Sequence, residues 1–361
     1  MSALTIHHRP APPAAAADIA AVLAAPGFGT RFTDNMVTAT WTPEQGWHDA
    51  ALRPYAPLSL PPAAAVLHYA QAIFEGLKAY RHADGSIWAF RPQANAARFA
   101  RSAQRLALPT LPVHDFVASI DTLVQADRAW VPGAPETSLY LRPFMFASEA
   151  FLGVRPAHEI TFCVIASPAG PYFATGVSGV SIWLSTDYTR AAPGGTGAAK
   201  CAGNYAASLL AQQQAGEHGC QQVVFLDAVE RTWVEELGGM NLFFVHADGS
   251  IVTPTLTGTI LEGITRSSIL TLAADEGMTV REQRVSIDDW RDGAASGQIT
   301  EVFACGTAAV VTPLNRLAWD GGQVTIGSGE PGPVTLRLRQ ALVDIQYGRV
   351  PDRHGWMHPI C

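Results

Sequence analysis

Lysine is nearly missing from this chain. Among 361 residues and 24 basic side chains only Lys78 and Lys200 are lysines, and the rest are arginine. With a net charge of −7 and no run of five like charges, the chain lacks the basic footprint that holds DNA or RNA, so nucleic acid is not expected as a partner. No apolar run approaches the roughly 20 residues that span a bilayer, which sets a membrane partner aside. Cysteine is sparse and odd in number. Cys163, Cys201, Cys220, Cys305 and Cys361 are scattered, with no C-x-x-C pair, and read as reduced thiols of a cytosolic protein. The Ala/Pro-rich stretch Pro10 to Ala25 resembles a secretory leader, but its prolines and Asp18 interrupt the apolar run, so a cytoplasmic protein is expected. The 11 histidines show no H-x-x-x-H or similar ligand spacing, and no metal is expected.

What is present starts with Lys200. It stands in Pro193-Gly194-Gly195-Thr196-Gly197-Ala198-Ala199-Lys200-Cys201-Ala202-Gly203-Asn204-Tyr205, a stretch of small, nearly uncharged residues. Burial disfavours the charged ammonium and lowers its pKa from roughly 10.4, which makes the lysine a nucleophile. The chemistry that most often asks for such a lysine is imine formation with a carbonyl compound, either a substrate or pyridoxal phosphate. A lysine snorkelling from a glycine-rich loop is the plainer alternative.

Pyridoxal phosphate would need three further groups. For its phosphate, Arg98 offers a guanidinium fork, although Arg101 and Arg105 on the same helical stretch leave the choice open. A second cradle is Gly263-Ile264-Thr265-Arg266, where a glycine precedes a helix start and first-turn N–H groups carry partial positive charge. A third is Cys305-Gly306-Thr307-Ala308-Ala309, whose small residues let backbone amides approach an anion. For the pyridine nitrogen, Val234-Glu235-Glu236-Leu237-Gly238-Gly239-Met240-Asn241 supplies two acids. On a strand they face opposite ways, so at most one serves. Tyr205 is a candidate donor to the ring oxygen, with a core tyrosine the commoner reading.

Length alone predicts two or three domains at roughly 100 to 200 residues each. In the first half, strands are predicted at Met36 to Trp41, Ile73 to Arg81, Ser86 to Arg91, Ser138 to Phe146 and Glu159 to Ala166, with helices at Asn95 to Leu106 and Val113 to Ala129. His82-Ala83-Asp84-Gly85 supplies the turn of one hairpin. The turn-rich Ser167-Pro168-Ala169-Gly170-Pro171 marks the junction. Beyond it, strands are predicted at Val180 to Ser185, Gln222 to Leu226, Asn241 to His246, Ile251 to Thr253, Met278 to Arg284, Ile299 to Ala304 and Ala308 to Thr312. Helices alternate with them at Tyr205 to Glu217, Ile264 to Glu276, Ile287 to Ala295 and Val334 to Tyr347.

Several segments, in order, resemble the branched-chain aminotransferase family: His68 to Tyr80, Tyr140-Leu141-Arg142-Pro143, Gly170-Pro171-Tyr172-Phe173, the Lys200 loop, Glu236 to Asn241, Gly263 to Arg266 and Phe303 to Pro313. The resemblance implies an α/β chain with α+β character and the two-domain fold type IV of pyridoxal 5'-phosphate enzymes. Residues 1–169 would form a smaller N-terminal α/β domain, 170–179 a linker and 180–361 a larger C-terminal domain, with the cofactor between them in a homodimer. It makes Lys200 the Schiff-base lysine, Tyr205 the partner of the ring oxygen and Glu236 the acid at the pyridine nitrogen. It gives the phosphate to Arg98, Ile264, Thr265 and Thr307. It assigns Tyr69, Phe74, Tyr140, Arg142 and Tyr172 to the substrate pocket and the Thr307-Ala308 amides to the substrate carboxylate, and Lys78 matches a family lysine near the pocket. The implied reaction moves the amino group between L-leucine, L-isoleucine or L-valine and 2-oxoglutarate, with glutamate and 2-oxo acids as the remaining small-molecule partners. Ala309 and Thr312 stand where mammalian relatives carry a C-x-x-C redox pair, which excludes a thiol switch there. Gly239 stands where some relatives have threonine. D-amino acid aminotransferase and aminodeoxychorismate lyase share the lysine and the glutamate, and a non-catalytic metabolite-binding protein is the alternative of another class.

Overall fold

The structure is a computed structural model that describes residues 4–170 and 178–361. In chain order its first half comprises β1 (His7–His8), α1 (Ala16–Ala24), β2 (Asn35–Thr42), β3 (Gly46–Pro54), α2 (Val66–Tyr69), β4 (Ala72–Phe74), β5 (Leu77–Arg81), β6 (Ile87–Phe90), α3 (Pro92–Arg105), α4 (Val113–Ala126), β7 (Ser138–Ala147) and β8 (Ile160–Ala169). The second half comprises β9 (Val180–Ser185), α5 (Ala202–Ala206), α6 (Leu209–Glu217), β10 (Gln222–Leu226), β11 (Val234–Leu237), β12 (Asn241–His246), β13 (Ile251–Thr253), α7 (Ile264–Asp275), β14 (Val280–Glu282), α8 (Ile287–Ser296), β15 (Ile299–Gly306), β16 (Val310–Trp319), β17 (Gly322–Thr325), α9 (Pro333–Gln346) and β18 (Met357–Pro359).

Two compact units result. The first takes the chain up to residue 170, together with Ala199–Ala202 and Asp344–Cys361; the second takes 178–198 and Gly203–Val343. The sequence predicts that everything beyond residue 180 lies in the second domain and that the second is the larger. Instead β18 pairs antiparallel with β6, returning the chain's end to the first unit, which holds more of the chain than the second.

The first unit is built on a nine-stranded sheet in the order β1-β3-β2-β8-β7-β5-β6-β18, with β4 on β7. Among the described residues of this sheet only the β1–β3 pair is parallel. Helices α3 and α4 pack together, and α4 lies on β2 and β8. On α3, Ala96, Phe99 and Ala103 recur at helical spacing and are fully buried, and the Phe99 ring sits 5.4 Å from Phe116 and 5.9 Å from Phe162. Beside that apolar stripe runs a polar one, Asn95, Arg98 and Ser102, also buried. A buried polar stripe needs partners, and these positions return at the site.

The second unit carries a mixed sheet in the order β11-β10-β9-β16-β15-β12-β13-β14, with β17 on β16. Helix α6 covers β9 and β10, α7 covers β14 and β15, and α8 covers β15 and β17. A reciprocal capping box between Ser286 and Asp289 opens α8, which drives Trp290 edge-on against Phe244, ring centroids 5.1 Å apart. Three predicted segments differ from the structure. The expected strand Ile73 to Arg81 breaks at Glu75-Gly76, the expected helix Tyr205 to Glu217 breaks before Leu209, and the expected junction at Ser167 is strand through Ala169. Pro168 is tolerated in β8 because β2 pairs with β8 only as far as Val164, leaving that side of Pro168 free of a ladder.

Candidate functional site

The first unit gathers one set of the predicted residues. Tyr140 and Arg142 are two apart on β7 and share a face. Arg142 Nη2 donates to the Tyr140 hydroxyl at 3.1 Å, and its guanidinium lies 4.8 Å from the Phe74 ring and 5.4 Å from the Tyr140 ring. Arg142 Nε is buried and finds no hydrogen-bond partner among the described residues. A Cβ on Gly76 would fall 2.0 Å from the Tyr140 hydroxyl oxygen, so only glycine lets that side chain lie where it does. Lys200 is tied by its backbone: its N–H donates to Ser102 Oγ at 2.9 Å and its carbonyl accepts from Phe74 N–H at 3.0 Å. Its Nζ lies 4.8 Å from the centre of the Phe74 ring. The dry setting expected of Lys200 holds only in part, since the residue is half-buried and Lys78 is the more deeply buried lysine.

Behind this set lies a carboxylate that the sequence reading passed over. Glu75, fully buried at the break between β4 and β5, accepts from Arg98 Nε at 2.7 Å and Nη2 at 2.8 Å, and from Asn95 Nδ2 at 2.7 Å. Burial alone would raise its carboxyl. The adjacent Arg98 charge and hydrogen bonds, with the Lys200 charge and the Asn95 amide, instead hold it below the ordinary carboxylate value. Arg98 is buried while Arg101 and Arg105 are exposed.

The second unit gathers the other set. On β11 both acids are buried and point to different partners. Glu236 Oε1 accepts the Leu261 N–H at 2.8 Å and pairs with Arg190 Nη1 at 2.9 Å. Glu235 instead accepts from the Thr259 hydroxyl. Burial pushes Glu235 above the ordinary carboxylate value, against the Thr259 hydrogen bond and the Arg190 charge. After β11 the chain turns through Gly238-Gly239, and a Cβ on Gly239 would meet the Tyr205 ring in ordinary contact at 3.4 Å. Asn241 opens β12. Its Nδ2 donates to Leu261 O at 3.0 Å, and its Oδ1 sits where a Cβ on Gly263 would fall, 2.0 Å away. Gly263 in turn is the N-cap residue of α7, a 12-residue helix, with Thr265 buried in its first turn. Gly306, just before Thr307 and Ala308 in the β15–β16 turn, lies against Met240 and the Gly239 carbonyl. Tyr205, Glu236, the α7 start and the β15–β16 turn are thus linked by direct contacts.

One of the predicted residues stands elsewhere. Tyr69 is 42% exposed, its hydroxyl donating to Leu152 O at 2.6 Å. Tyr172 lies outside the described residues. The sequence reading missed Glu75, Gly76, Ser102 and Arg190. Ser102 shares the face of Asn95 and Arg98 at helical spacing, which is the one signal that could have found it.

A family model, amino-transferase class IV, matches residues 72–317. Over 362 aligned residues, covering 100% of both chains, the sequence is 59% identical to a Streptomyces coelicolor protein named as a probable branched-chain-amino-acid aminotransferase. It is 57% identical to the branched-chain-amino-acid aminotransferase of Mycolicibacterium smegmatis, covering 93% of this chain and 92% of that one. Among solved structures, the branched-chain amino acid aminotransferase of Thermobaculum terrenum in its PLP-bound holo form is similar at a TM-score of 0.72 and 25% identity, over 91% of this chain and 100% of that chain.

Proposed function

The chain belongs to the class IV amino-transferase family, and on that premise we propose that it is a pyridoxal 5'-phosphate-dependent branched-chain amino acid aminotransferase. It exchanges the amino group of L-leucine, L-isoleucine or L-valine with 2-oxoglutarate. The names of its relatives support this reading. The observation that carries it is Lys200, one of two lysines, pinned through both backbone groups beside Phe74 and within the field of Glu75.

The residues present fit the cofactor. The start of α7 behind Gly263, with the buried Thr265 hydroxyl, suits a phosphate, as do the small residues at Gly306-Thr307. Glu236, buried and held by Arg190 and the Leu261 N–H, suits a protonated pyridine nitrogen. Tyr205 beside Gly239 suits the ring oxygen. When bound, the cofactor supplies an electron sink for the pair left on the substrate Cα.

The chain's own residues do the rest. Lys200 Nζ takes the proton from Cα as general base and returns a proton as general acid. Arg98, with its fork set by Glu75, joins Ile264, Thr265 and Thr307 in holding the phosphate. The Thr307-Ala308 amides hold the substrate carboxylate, and Phe74, Tyr140 and Arg142 line the side-chain pocket. Such aromatic walls favour aliphatic side chains but separate neighbours differing by one methylene by only about 1 to 3 kcal/mol. Arg142, with a buried Nε still to be satisfied, receives the glutamate side-chain carboxylate.

We also infer a homodimer, acting in the cytoplasm. Leu67 and Leu152 lie near Tyr69 at 60% and 74% exposure, and such an apolar patch suits a second copy. Among the described residues no helix is long and apolar enough to cross a membrane. The test of the reaction is a visible spectrum before and after L-leucine, with borohydride reduction and peptide mapping carried out on a separate sample that has received no L-leucine. We expect L-leucine to bleach the aldehyde band and the label to map to Lys200. A label elsewhere, or turnover of D-alanine in preference to L-leucine, would overturn the assignment. Arg142→Ala should lower turnover with glutamate at least tenfold more than with leucine. Equal losses would remove its selective role.

A further inference from the structure

Arg190, on the loop after β9, is 3% exposed, and among the described residues its one ion-pair partner is Glu236. Its Nη1 pairs with Glu236 Oε1 at 2.9 Å and reaches Thr259 O at 3.0 Å and, more weakly, Gly197 O at 3.5 Å, while its Nε donates to Gly238 O at 3.4 Å. Its Nη2 is buried with no hydrogen-bond partner among the described residues. A buried ion pair repays its desolvation only when its remaining donors are satisfied, and a well-packed apolar substitute is often as stable. Stability alone is therefore a poor reason for this arginine. The pairing is also selective. Glu235, the neighbour of Glu236 on β11, takes the Thr259 hydroxyl and makes no ion pair among the described residues.

The contacts of Arg190 fall on the stretches that carry the groups assigned to the cofactor. Gly238 precedes Gly239, which lies against the Tyr205 ring. Gly197 comes three residues before Lys200, and a Cβ there would fall 2.2 Å from Thr259 O, so only glycine lets this loop pack on Thr259. Ala198 N–H donates to Gly258 O at 3.1 Å and holds the same two stretches together. Beyond Thr259, Leu261 gives its N–H to Glu236 Oε1 and its carbonyl to Asn241 Nδ2, and Asn241 Oδ1 abuts Gly263 at the start of α7. One buried cation thus ties Glu236 to the segment that leads into α7.

We propose that Arg190 is a positioning residue for the cofactor: through Glu236 it keeps the proton they share on the ring nitrogen, and through Thr259 it holds the segment leading into the phosphate cradle. This rests on the reading that Glu236 faces the ring nitrogen. A cation on one carboxylate oxygen favours the charged form of that carboxylate, so a proton between Glu236 and the ring nitrogen is driven to the nitrogen, the end farther from Arg190. Without the arginine, burial favours the neutral carboxyl, and the proton moves back to Glu236.

The experiment loads the enzyme with pyridoxal 5'-phosphate isotopically labelled at the ring nitrogen. Nuclear magnetic resonance at pH 7 reads the protonation of that nitrogen, and fluorescence reads the dissociation constant of the cofactor. The wild type should show a protonated nitrogen. Arg190→Gln, with native circular dichroism, should move the resonance toward the neutral position and raise the dissociation constant at least tenfold. A variant that had merely lost packing would bind less cofactor but leave the resonance of what it binds in place. An unmoved resonance or an unchanged dissociation constant would overturn the proposal and leave the Glu236 reading standing. A neutral nitrogen in the wild type would sink the Glu236 reading and this proposal with it. Should Arg190→Gln fail to fold, Arg190→Lys decides, because it keeps the charge and loses the fork. The nitrogen should then stay protonated while the dissociation constant rises at least threefold, and failure of either overturns the proposal.

Discussion

At the scale of single residues, the ion pair between Glu75 and Arg98 sets the sharpest expectation. Removing one partner of a buried pair leaves the other uncompensated and costs roughly 3 to 5 kcal/mol. A glutamine at position 75 keeps the shape and part of the hydrogen bonding, so Glu75→Gln should lie near the lower end in a urea titration at pH 7. Its cofactor affinity should fall too, because Arg98 loses the carboxylate that orients it. The pH dependence has a definite sign. The Glu75 carboxyl is held below its ordinary value of 4.5, so its contribution is complete above that pH and is lost as the pH falls through the lower folded value. Acid should therefore destabilise the wild type more than the variant below pH 4.5, and parallel curves would refute the assignment. The cysteines give a second test. Burial pushes Cys163 and Cys305 up to about 12 and Cys220 upward, Cys201 is buried, and only Cys361 is exposed. A disulfide reagent at pH 8 should titrate one thiol rapidly in the native protein and five after unfolding. Two rapid thiols would contradict the burial.

At the scale of elements, the close approach of Asn241 to Gly263 ties β12 to the start of α7. Gly263→Ala would drive a methyl into Asn241 Oδ1, a side chain already fixed by Leu261 O. We expect the helix start to shift and the dissociation constant for the cofactor to rise about tenfold to a hundredfold, about 1.4 to 2.8 kcal/mol, with little change in far-ultraviolet circular dichroism. Unchanged affinity would remove α7 from the phosphate site. How much of this was legible follows from what each element asks of its sequence. The glycine before α7, the Lys200 loop and the paired acids of β11 declare themselves because chemistry or backbone conformation demands those residue types at those points. Glu75 does not. Within Ile73 to Arg81 a strand reading treats it as one more polar residue, and the arginine that makes its burial tolerable comes 23 residues later, on another element. Arg190 was hidden for the same reason, since its partners are Glu236 and the Thr259 carbonyl. The pairing of β18 with β6 was equally unreadable, because three residues carry no usable alternation.

At the scale of the whole molecule, the sequence order of the chain is a poor guide to which unit each segment stabilises. The final residues return to the first unit. There Ile360 is buried in its core, Trp356 O accepts from Arg91 N–H at 2.7 Å, and Ile360 N–H donates to Ile87 O at 2.9 Å. The Gln125 side-chain amide Nε2 adds a bond from α4 to Ile360 O at 3.0 Å. The Arg91 guanidinium lies 5.2 Å from the Trp356 ring, and Phe90 meets the same ring edge-on at 5.6 Å. A chain ending at Arg349 would lose the burial of one isoleucine, worth about 2 to 5 kcal/mol when truncated to alanine, and hydrogen bonds worth about 1 kcal/mol each. It would also turn β6 into an open edge. The loss falls on the unit that carries Phe74, Arg98, Tyr140 and Lys200, and not on the unit that carries Glu236 and α7. Truncation should therefore lower the melting temperature by several degrees and increase amide exchange first in β5, β6 and α4, leaving β12, β15 and α8 protected. Hydrogen exchange followed by mass spectrometry checks this directly. If the newly exposed amides fell mainly in 203–343, the assignment of the chain's end to the first unit would be wrong.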